Sequence, residues 1–153
     1  MTLQDWLSRG RVRLQGVSSK EIRGLVRVAD RDLADARIEL ISADRRFATA
    51  YGAALQLATI VVRASGYRTS GTGHHWLTFQ LLLDFLGPGE QERADYFDSC
   101  RQKRNLADYG DAGLVSEAEV QELLEEAEAF RIAVLLWLRK KHPELIDPSD
   151  PLQ

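Results

Sequence analysis

A short run of charged residues in the second half of the chain has the composition of a phosphate-binding site. Arg101, Arg104 and Asp108 are separated by three and four positions, so a helix would place them on one face. The same face carries the apolar residues Ala94 and Phe97, which are predicted to turn towards the core. An arginine beside the core needs an acceptor, which is either a carboxylate such as Asp108 or a phosphate group. The ordinary alternative is a helix pair between Arg104 and Asp108, which contributes only about 0.3 kcal/mol.

Two adjacent histidines are the second candidate for chemistry. His74 and His75 follow the glycine-rich stretch 66–73. Adjacent side chains diverge on a helix, and the chain has no other Cys or His spacing typical of a metal site. We therefore predict no metal site and no cofactor. The two histidines are predicted to lie at a helix start or an interface. If the glycine-rich loop folds back over the Arg104 region, one of the two imidazoles supplies a proton acceptor there.

The net charge limits which ligands the chain attracts at a distance. Its 153 residues carry a formal charge of −3 and have a pI of about 5.6. No overall positive field therefore attracts nucleic acid or an anionic membrane, and any contact with a polyanion must be local. Arg9, Arg11 and Arg13 form either a basic RNA-contacting arm or, as the favoured prediction, a solvated N-terminus.

The expected compartment is the cytoplasm. The single cysteine, Cys100, has no intramolecular partner for a disulfide, which fits a reducing environment. No secretory signal is recognised at the N-terminus, and no apolar run approaches the roughly 20 residues of a membrane span. We therefore predict no membrane association.

Serine caps predict where the long helices begin. Ser18 with Glu21, and Ser116 with Glu119, have the spacing of a capping box, and Ser42 is a third predicted cap. Apolar residues follow each cap at helical spacing. The stripes run through Ile22, Leu25, Val26, Ala29, Leu33, Ala36 and Leu40, then Phe47, Ala50, Tyr51, Ala54, Ala58, Val61 and Val62, and finally Val120, Leu123, Leu124, Ala127, Phe130, Val134, Trp137 and Leu138. The helix after Ser42 is apolar on several sides and is predicted to be central.

Two further helices are predicted between the second and third caps. A short apolar helix runs from about His75 to Leu86, and a polar helix runs from near Glu90 towards Arg104. No alternating pattern of useful length predicts a β-strand.

Short connections between long amphipathic helices favour an all-α fold, an antiparallel bundle of four to five helices. The bundle is expected to span residues 18–142. Residues 1–17 are predicted to form an N-terminal arm, and residues 143–153, which contain three prolines, a flexible tail.

Several short segments occur in a recognisable order along the predicted bundle. They are Asp32-Leu33-Ala34-Asp35-Ala36, Ser42-Ala43-Asp44-Arg45-Arg46-Phe47, Ala50-Tyr51-Gly52-Ala53-Ala54-Leu55, Arg104-Asn105, Asp108-Tyr109 and the Ser116-started helix with Phe130. In this order they resemble a HEPN domain, a small helical domain of higher eukaryotes and prokaryotes, over roughly residues 18–142. The resemblance implies a bundle of four to five helices that commonly forms a homodimer.

What the resemblance implies about chemistry depends on one motif. In active HEPN proteins an arginine, a polar residue and, four to six positions later, a histidine cleave RNA without a metal ion. Arg104 and Asn105 match the first two, whereas Tyr109, or at best Asp108, stands where the histidine belongs. A tyrosine with its ordinary pKa of about 10 is a poor base at neutral pH, although it can orient a phosphate or act as an acid.

Two functions fit these residues best, and a third, a structural interaction subunit that uses the acidic last helix or the short apolar helix, is supported only in that the sequence does not exclude it. In the first, the chain is a HEPN-like component of a prokaryotic toxin–antitoxin or phage-defence module that binds or cleaves RNA as a homodimer. Arg104, Asn105 and Tyr109 are then the catalytic residues. Arg101 and Asp108 bind the substrate. In the second, the chain is a non-catalytic partner and regulator of a minimal nucleotidyltransferase, an enzyme often encoded beside small HEPN proteins. The missing histidine leaves open whether the chain is a ribonuclease.

Overall fold

Helices make up most of the chain. The computed structural model describes residues 1–110 and 112–146, except for the side chain of Tyr109. In chain order the elements are α1 (Leu3–Ser8), β1 (Val12–Leu14), α2 (Ser19–Ala36), α3 (Ala43–Ala64), β2 (Tyr67–Thr69), α4 (His74–Gln80), α5 (Leu82–Phe85), α6 (Gln91–Tyr109) and α7 (Glu117–Lys141). Single turns of 3-10 helix lie at Pro88–Glu90 and Pro143–Leu145.

The predicted caps begin three of the long helices. The Ser18 hydroxyl accepts the backbone N–H of Glu21 at 3.1 Å, and Ser116 forms the complete capping box with Glu119. The reciprocal half of the box at Ser18 is absent from the described contacts, because the Glu21 carboxylate pairs with Arg63 instead. Ser42 precedes α3 as predicted, without a capping hydrogen bond from its side chain.

Ion pairs at the helix ends show how the long helices run. Glu21 at the start of α2 contacts Arg63 at the end of α3, so these helices are antiparallel. Nζ of Lys103, near the end of α6, lies 3.1 Å from Oε2 of Glu119 at the start of α7, so this pair is antiparallel as well. The predicted all-α antiparallel bundle is confirmed, with α2, α3, α6 and α7 as its long helices.

α3 is the central helix, as its sequence predicted. It packs against α2, α6 and α7 and is buried on several sides. The length and hydropathy of Ala43–Ala64 would also suit a membrane span. However, 67% of its apolar window is buried inside the protein, which is the behaviour of a core helix.

An aromatic column joins α3 to three other helices. Tyr51 of α3 packs on Phe79 of α4, which packs on Phe97 of α6, which packs on Phe130 of α7. The ring centroids are 6.0, 5.5 and 5.4 Å apart in turn. Tilted ring pairs at such distances are favourable, so the column fixes the position of Tyr51 in the core.

The N-terminal segment differs from the predicted solvated arm. β1 pairs antiparallel with β2, with Val12 opposite Thr69 and Leu14 opposite Tyr67. Val12 is buried in one cluster with Val62 of α3 and Leu77 of α4. Strands of three residues are too short to show an alternating pattern, which is why the sequence did not reveal them.

Two helix boundaries also differ from the sequence prediction. α2 ends at Ala36, so Leu40 lies in the following loop and is exposed instead of continuing the apolar stripe. The single helix predicted from His75 to Leu86 is divided into α4 and α5, with Leu81 between them.

The start of the predicted flexible tail packs on the bundle. Leu145 and Ile146 are buried in the main core cluster after the Pro143–Leu145 turn. The rest of that tail, residues 147–153, lies outside the described residues.

Candidate functional site

The predicted charged face lies on the second half of α6. Nε of Arg101 donates to Oδ1 of Asp98 at 2.7 Å, and this hydrogen bond raises the pKa of Arg101 above its ordinary value. Nε of Arg104 lies 3.4 Å from Oδ2 of Asp108, with the two side chains 32% and 44% exposed. The ordinary helix pair is therefore present, in a form that is open to water and to other anions.

The other two predicted catalytic residues belong to the same helix. Asn105 is partly buried next to Arg104, and its side-chain amide has no hydrogen-bond partner among the described residues. Tyr109 is the last residue of α6, and its side chain lies outside the described part of the chain. The role of Tyr109 therefore stays a prediction.

A buried tyrosine lies directly beneath Arg104. The guanidinium carbon of Arg104 is 5.4 Å from the ring centroid of Tyr51, a residue only 1% exposed. A cation above an aromatic face is attracted by the ring quadrupole, so Tyr51 helps to fix the arginine. In the sequence, Tyr51 belongs to the apolar stripe of the central helix and to one segment of the HEPN resemblance, and nothing in its spacing indicates that its hydroxyl has a polar partner.

That polar partner is His75. The Tyr51 hydroxyl oxygen lies 3.3 Å from Nδ1 of His75, the second residue of α4. The site therefore combines α3, α4 and α6, and joins residues that are 24 and 53 positions from Tyr51 along the chain. The histidine expected to reach the Arg104 region only if the loop folds back is thus held against the tyrosine below that arginine.

The loop before α4 is held from the N-terminal side. Arg11 donates from Nε to the carbonyl of Ser70 at 3.3 Å and from Nη2 to the carbonyl of Thr72. Gly71 and Gly73 have φ values of +86° and +74°, which only glycine adopts easily. These contacts determine where α4 starts and therefore where its histidines lie.

A pair of tryptophans joins α1 to α4. The rings of Trp6 and Trp76 meet edge to face, with centroids 5.9 Å apart. The N-terminal arginine in this region, Arg11, lies over Trp6 as well as on the loop. The segment therefore acts as a brace for α4.

The ionisable groups of the site influence one another. Burial raises the pKa of the Tyr51 phenol above its ordinary value, while the charges of Arg104 and Arg101 lower it in part, so the phenol keeps its proton at neutral pH. Burial lowers the pKa of His75 below its ordinary value, and His74, Arg104 and Arg101 lower it further. The His75 imidazole is consequently neutral at pH 7 and able to accept a proton.

His75 also lines a cavity. Its volume is about 490 Å³, and it lies between α2, α3, β2 and α4. Leu25, Leu55 and Val62 form an apolar part of its wall. The lining is completed by Gln15, Glu21, Thr59, Arg63, Arg68, Thr69, His74, His75 and Thr78. His75 therefore contacts both Tyr51, the ring beneath Arg104, and a cavity of the size that small ligands occupy.

No metal centre is found in the part of the chain that the structure describes. There, no three His, Cys, Asp or Glu side chains are grouped so that they could hold an ion.

Comparison with known proteins identifies the family. The chain matches the family of SAV_6107-like HEPN domains over residues 38–135, about two thirds of its length. The match includes α3 to α6 and most of α7, whereas the Asp32–Ala36 segment of the resemblance lies before it. No curated protein and no solved structure matches the chain. The protein belongs to the HEPN domain family.

Proposed function

We propose that this protein binds and cleaves RNA as the HEPN component of a prokaryotic toxin–antitoxin or phage-defence module, with the phosphate held on the α6 face around Arg104. The observation that supports this most strongly is that Arg104 and the His75 imidazole both contact one buried tyrosine, with Arg101 one turn from Arg104 on α6. Cleavage needs a cation for the charged phosphorane and a group that exchanges a proton near pH 7.

Arg104 has the properties of a phosphate ligand. Its contact to Asp108 is long and exposed, and such pairs contribute little to stability. A phosphate offers several oxygens to the guanidinium fork and binds it more strongly than one exposed carboxylate at that distance. Arg101 adds a second positive charge one turn away, and the Asn105 amide orients the phosphate.

A homodimer would place two such faces in one cleft. Exposed apolar side chains near the end of α6 support this proposal: Leu106 is 63% exposed and Leu114 is 43% exposed. Large apolar side chains grouped on a surface are typical of interfaces. Sedimentation equilibrium of the wild type and of a Leu106→Glu variant tests it, and a wild type that stays monomeric would contradict it.

The function is tested with the purified protein and single-stranded oligoribonucleotides in buffer containing EDTA. We expect cleavage by the wild type and a loss of at least about 100-fold in kcat/KM for Arg104→Ala, because a transition-state cation is removed. The matched control is Arg37→Ala, which also loses an exposed arginine from an ion pair, with Glu128, but between α2 and α7. Circular dichroism should show the same helix content in all three proteins.

Two results would contradict the proposal. The first is a wild type that leaves every oligoribonucleotide intact, and the second is an Arg104→Ala variant as active as Arg37→Ala. An inactive wild type whose intact mass increases by one nucleotide with ATP and a nucleotidyltransferase would support the alternative function, a regulator modified by such an enzyme.

A further inference from the structure

We propose that His75 of α4 is the catalytic base of this protein, accepting the proton of the RNA 2′-hydroxyl while Arg104 binds the phosphate. The inference rests on the proposed ribonuclease function. It assigns to an imidazole on a different helix the task for which α6 has no histidine, and makes Tyr51 the residue that positions the base.

The contacts of His75 support the role of a base. Nδ1 lies 3.3 Å from the Tyr51 hydroxyl, so this nitrogen is occupied inside the protein. In the active tautomer, Nδ1–H donates to the hydroxyl oxygen and Nε2 carries the lone pair that takes the proton. No other hydrogen bond to the His75 imidazole is present among the described residues. A base whose second nitrogen is fixed in this way is held in one orientation, and its neutral form is held in one tautomer.

The two contacts of His75, with Tyr51 and with the cavity, fit the binding of a phosphodiester. Arg104 lies over the ring face of Tyr51, and His75 is bonded to the hydroxyl end of the same ring. A phosphate bound by Arg104 therefore lies near the ring to which His75 is bonded. The cavity of about 490 Å³ next to His75 leaves room for the ribose that carries the attacking hydroxyl.

The reaction balances without a further reagent. The 2′-oxygen forms a bond to phosphorus as its proton passes to Nε2 of His75. The bond from phosphorus to the 5′-oxygen breaks, and that oxygen takes a proton from water. The products are a 2′,3′-cyclic phosphate and a 5′-hydroxyl end, and the imidazolium then returns its proton to solvent.

The charges around His75 set the pH range in which it acts. The groups that face it are His74 on its own helix, Tyr51 on α3, Arg101 and Arg104 on α6, and, around the cavity, Arg68, Arg63 and Glu21. Burial and the neighbouring positive groups lower its pKa below the ordinary value. As the pH falls through this lowered pKa, the imidazole becomes protonated and the rate falls tenfold per unit. Above it, the rate is constant with respect to this group.

The decisive variants compare the three histidines of the chain. We expect His75→Ala to lower kcat for an oligoribonucleotide by about 100-fold or more with KM within about threefold, because a base acts on chemistry more than on binding. Added imidazole should restore part of that rate. His142→Ala, which alters a residue packed on Trp137 far from the site, should leave the activity unchanged, and His74→Ala should keep the acid limb of the pH profile.

The role of Tyr51 is tested separately. Tyr51→Phe keeps the ring under Arg104 but removes the hydroxyl that holds Nδ1. We expect it to lower kcat about tenfold, to leave KM unchanged and to shift the acid limb of the pH profile. A change in stability alone would not produce that shift, so this readout distinguishes positioning from a purely structural role.

The results separate the inference from the function on which it rests. If the wild type cleaves and Arg104→Ala does not, but His75→Ala retains full activity and its acid limb, the inference is wrong and the ribonuclease function stands. If the acid limb disappears in His74→Ala instead, the base is the neighbouring histidine and the inference is again wrong. If the wild type does not cleave RNA, both fall together.

Discussion

Two arginines of this bundle show how differently the same side chain is used. The side chain of Arg63, at the end of α3, is 7% exposed and donates all five of its N–H groups. Its acceptors are both carboxylate oxygens of Glu21 and the backbone carbonyls of Gln15, Gly16 and Tyr67. Arg104, on α6, is 32% exposed and has one long ion pair with a carboxylate.

The difference separates a structural arginine from one that is available to a ligand. Arg63 connects the start of α2 and the segments around both strands to the central helix, so no donor is left for a further partner. Arg104 is held from below by Tyr51 and keeps most of its hydrogen-bonding capacity. The proposed function requires that a phosphate accepts hydrogen bonds from the remaining donors of Arg104.

The two arginines should differ most in their contribution to the free energy of unfolding. We expect Arg63→Met to lower the free energy of unfolding by about 3 kcal/mol, because it leaves buried carbonyl groups and a carboxylate without a donor. Arg104→Met should lower it by less than about 1 kcal/mol, the sum of an exposed helix pair and one cation–π contact. Urea unfolding of the two variants measures both values.

The same pair of variants provides its own control. Both replace an arginine by an unbranched apolar side chain on a helix, so helix propensity and charge change equally. Equal losses of stability for the two variants would show that Arg104 is structural in the same sense as Arg63.

Substitution of Asp108, the ion-pair partner of Arg104, should change RNA binding by a smaller amount. Asp108→Asn removes the charge that competes with phosphate for Arg104. We expect it to tighten the binding of an uncleavable 2′-O-methyl RNA by about threefold, with a steeper dependence on salt concentration. Fluorescence anisotropy at several salt concentrations measures this change. If Asp108 binds the substrate directly, the variant binds more weakly.

The long helices were predictable because their signals are local. The caps at Ser18 and Ser116, and apolar residues at helical spacing, lie within a few positions of the helix that they define. The prediction of α2 failed only at its end, where Leu40 continues the spacing but lies beyond the last turn at Ala36. Local spacing says where a helix can run, and tertiary packing decides where it stops.

The site was predictable only in part, because its remaining contacts are between distant positions. Arg101, Arg104 and Asp108 share one helix, so their common face followed from spacing. The contact between Tyr51 and His75 depends on how α4 lies against α3, and that is fixed by Arg11 and the short strands at the N-terminus. No pattern within either segment indicates this arrangement.

NMR can show directly whether Arg104, and not Arg63, contacts RNA when RNA binds. In protein labelled with ¹⁵N-arginine, the Nε–H signals of Arg63 and Arg104 are recorded by NMR while 2′-O-methyl RNA is added, and each signal is assigned by its loss in the corresponding Arg→Lys variant. We predict that the Arg104 signal shifts in proportion to the RNA bound, while that of Arg63 stays in place. An Arg104 signal that does not move while RNA binds would contradict the account.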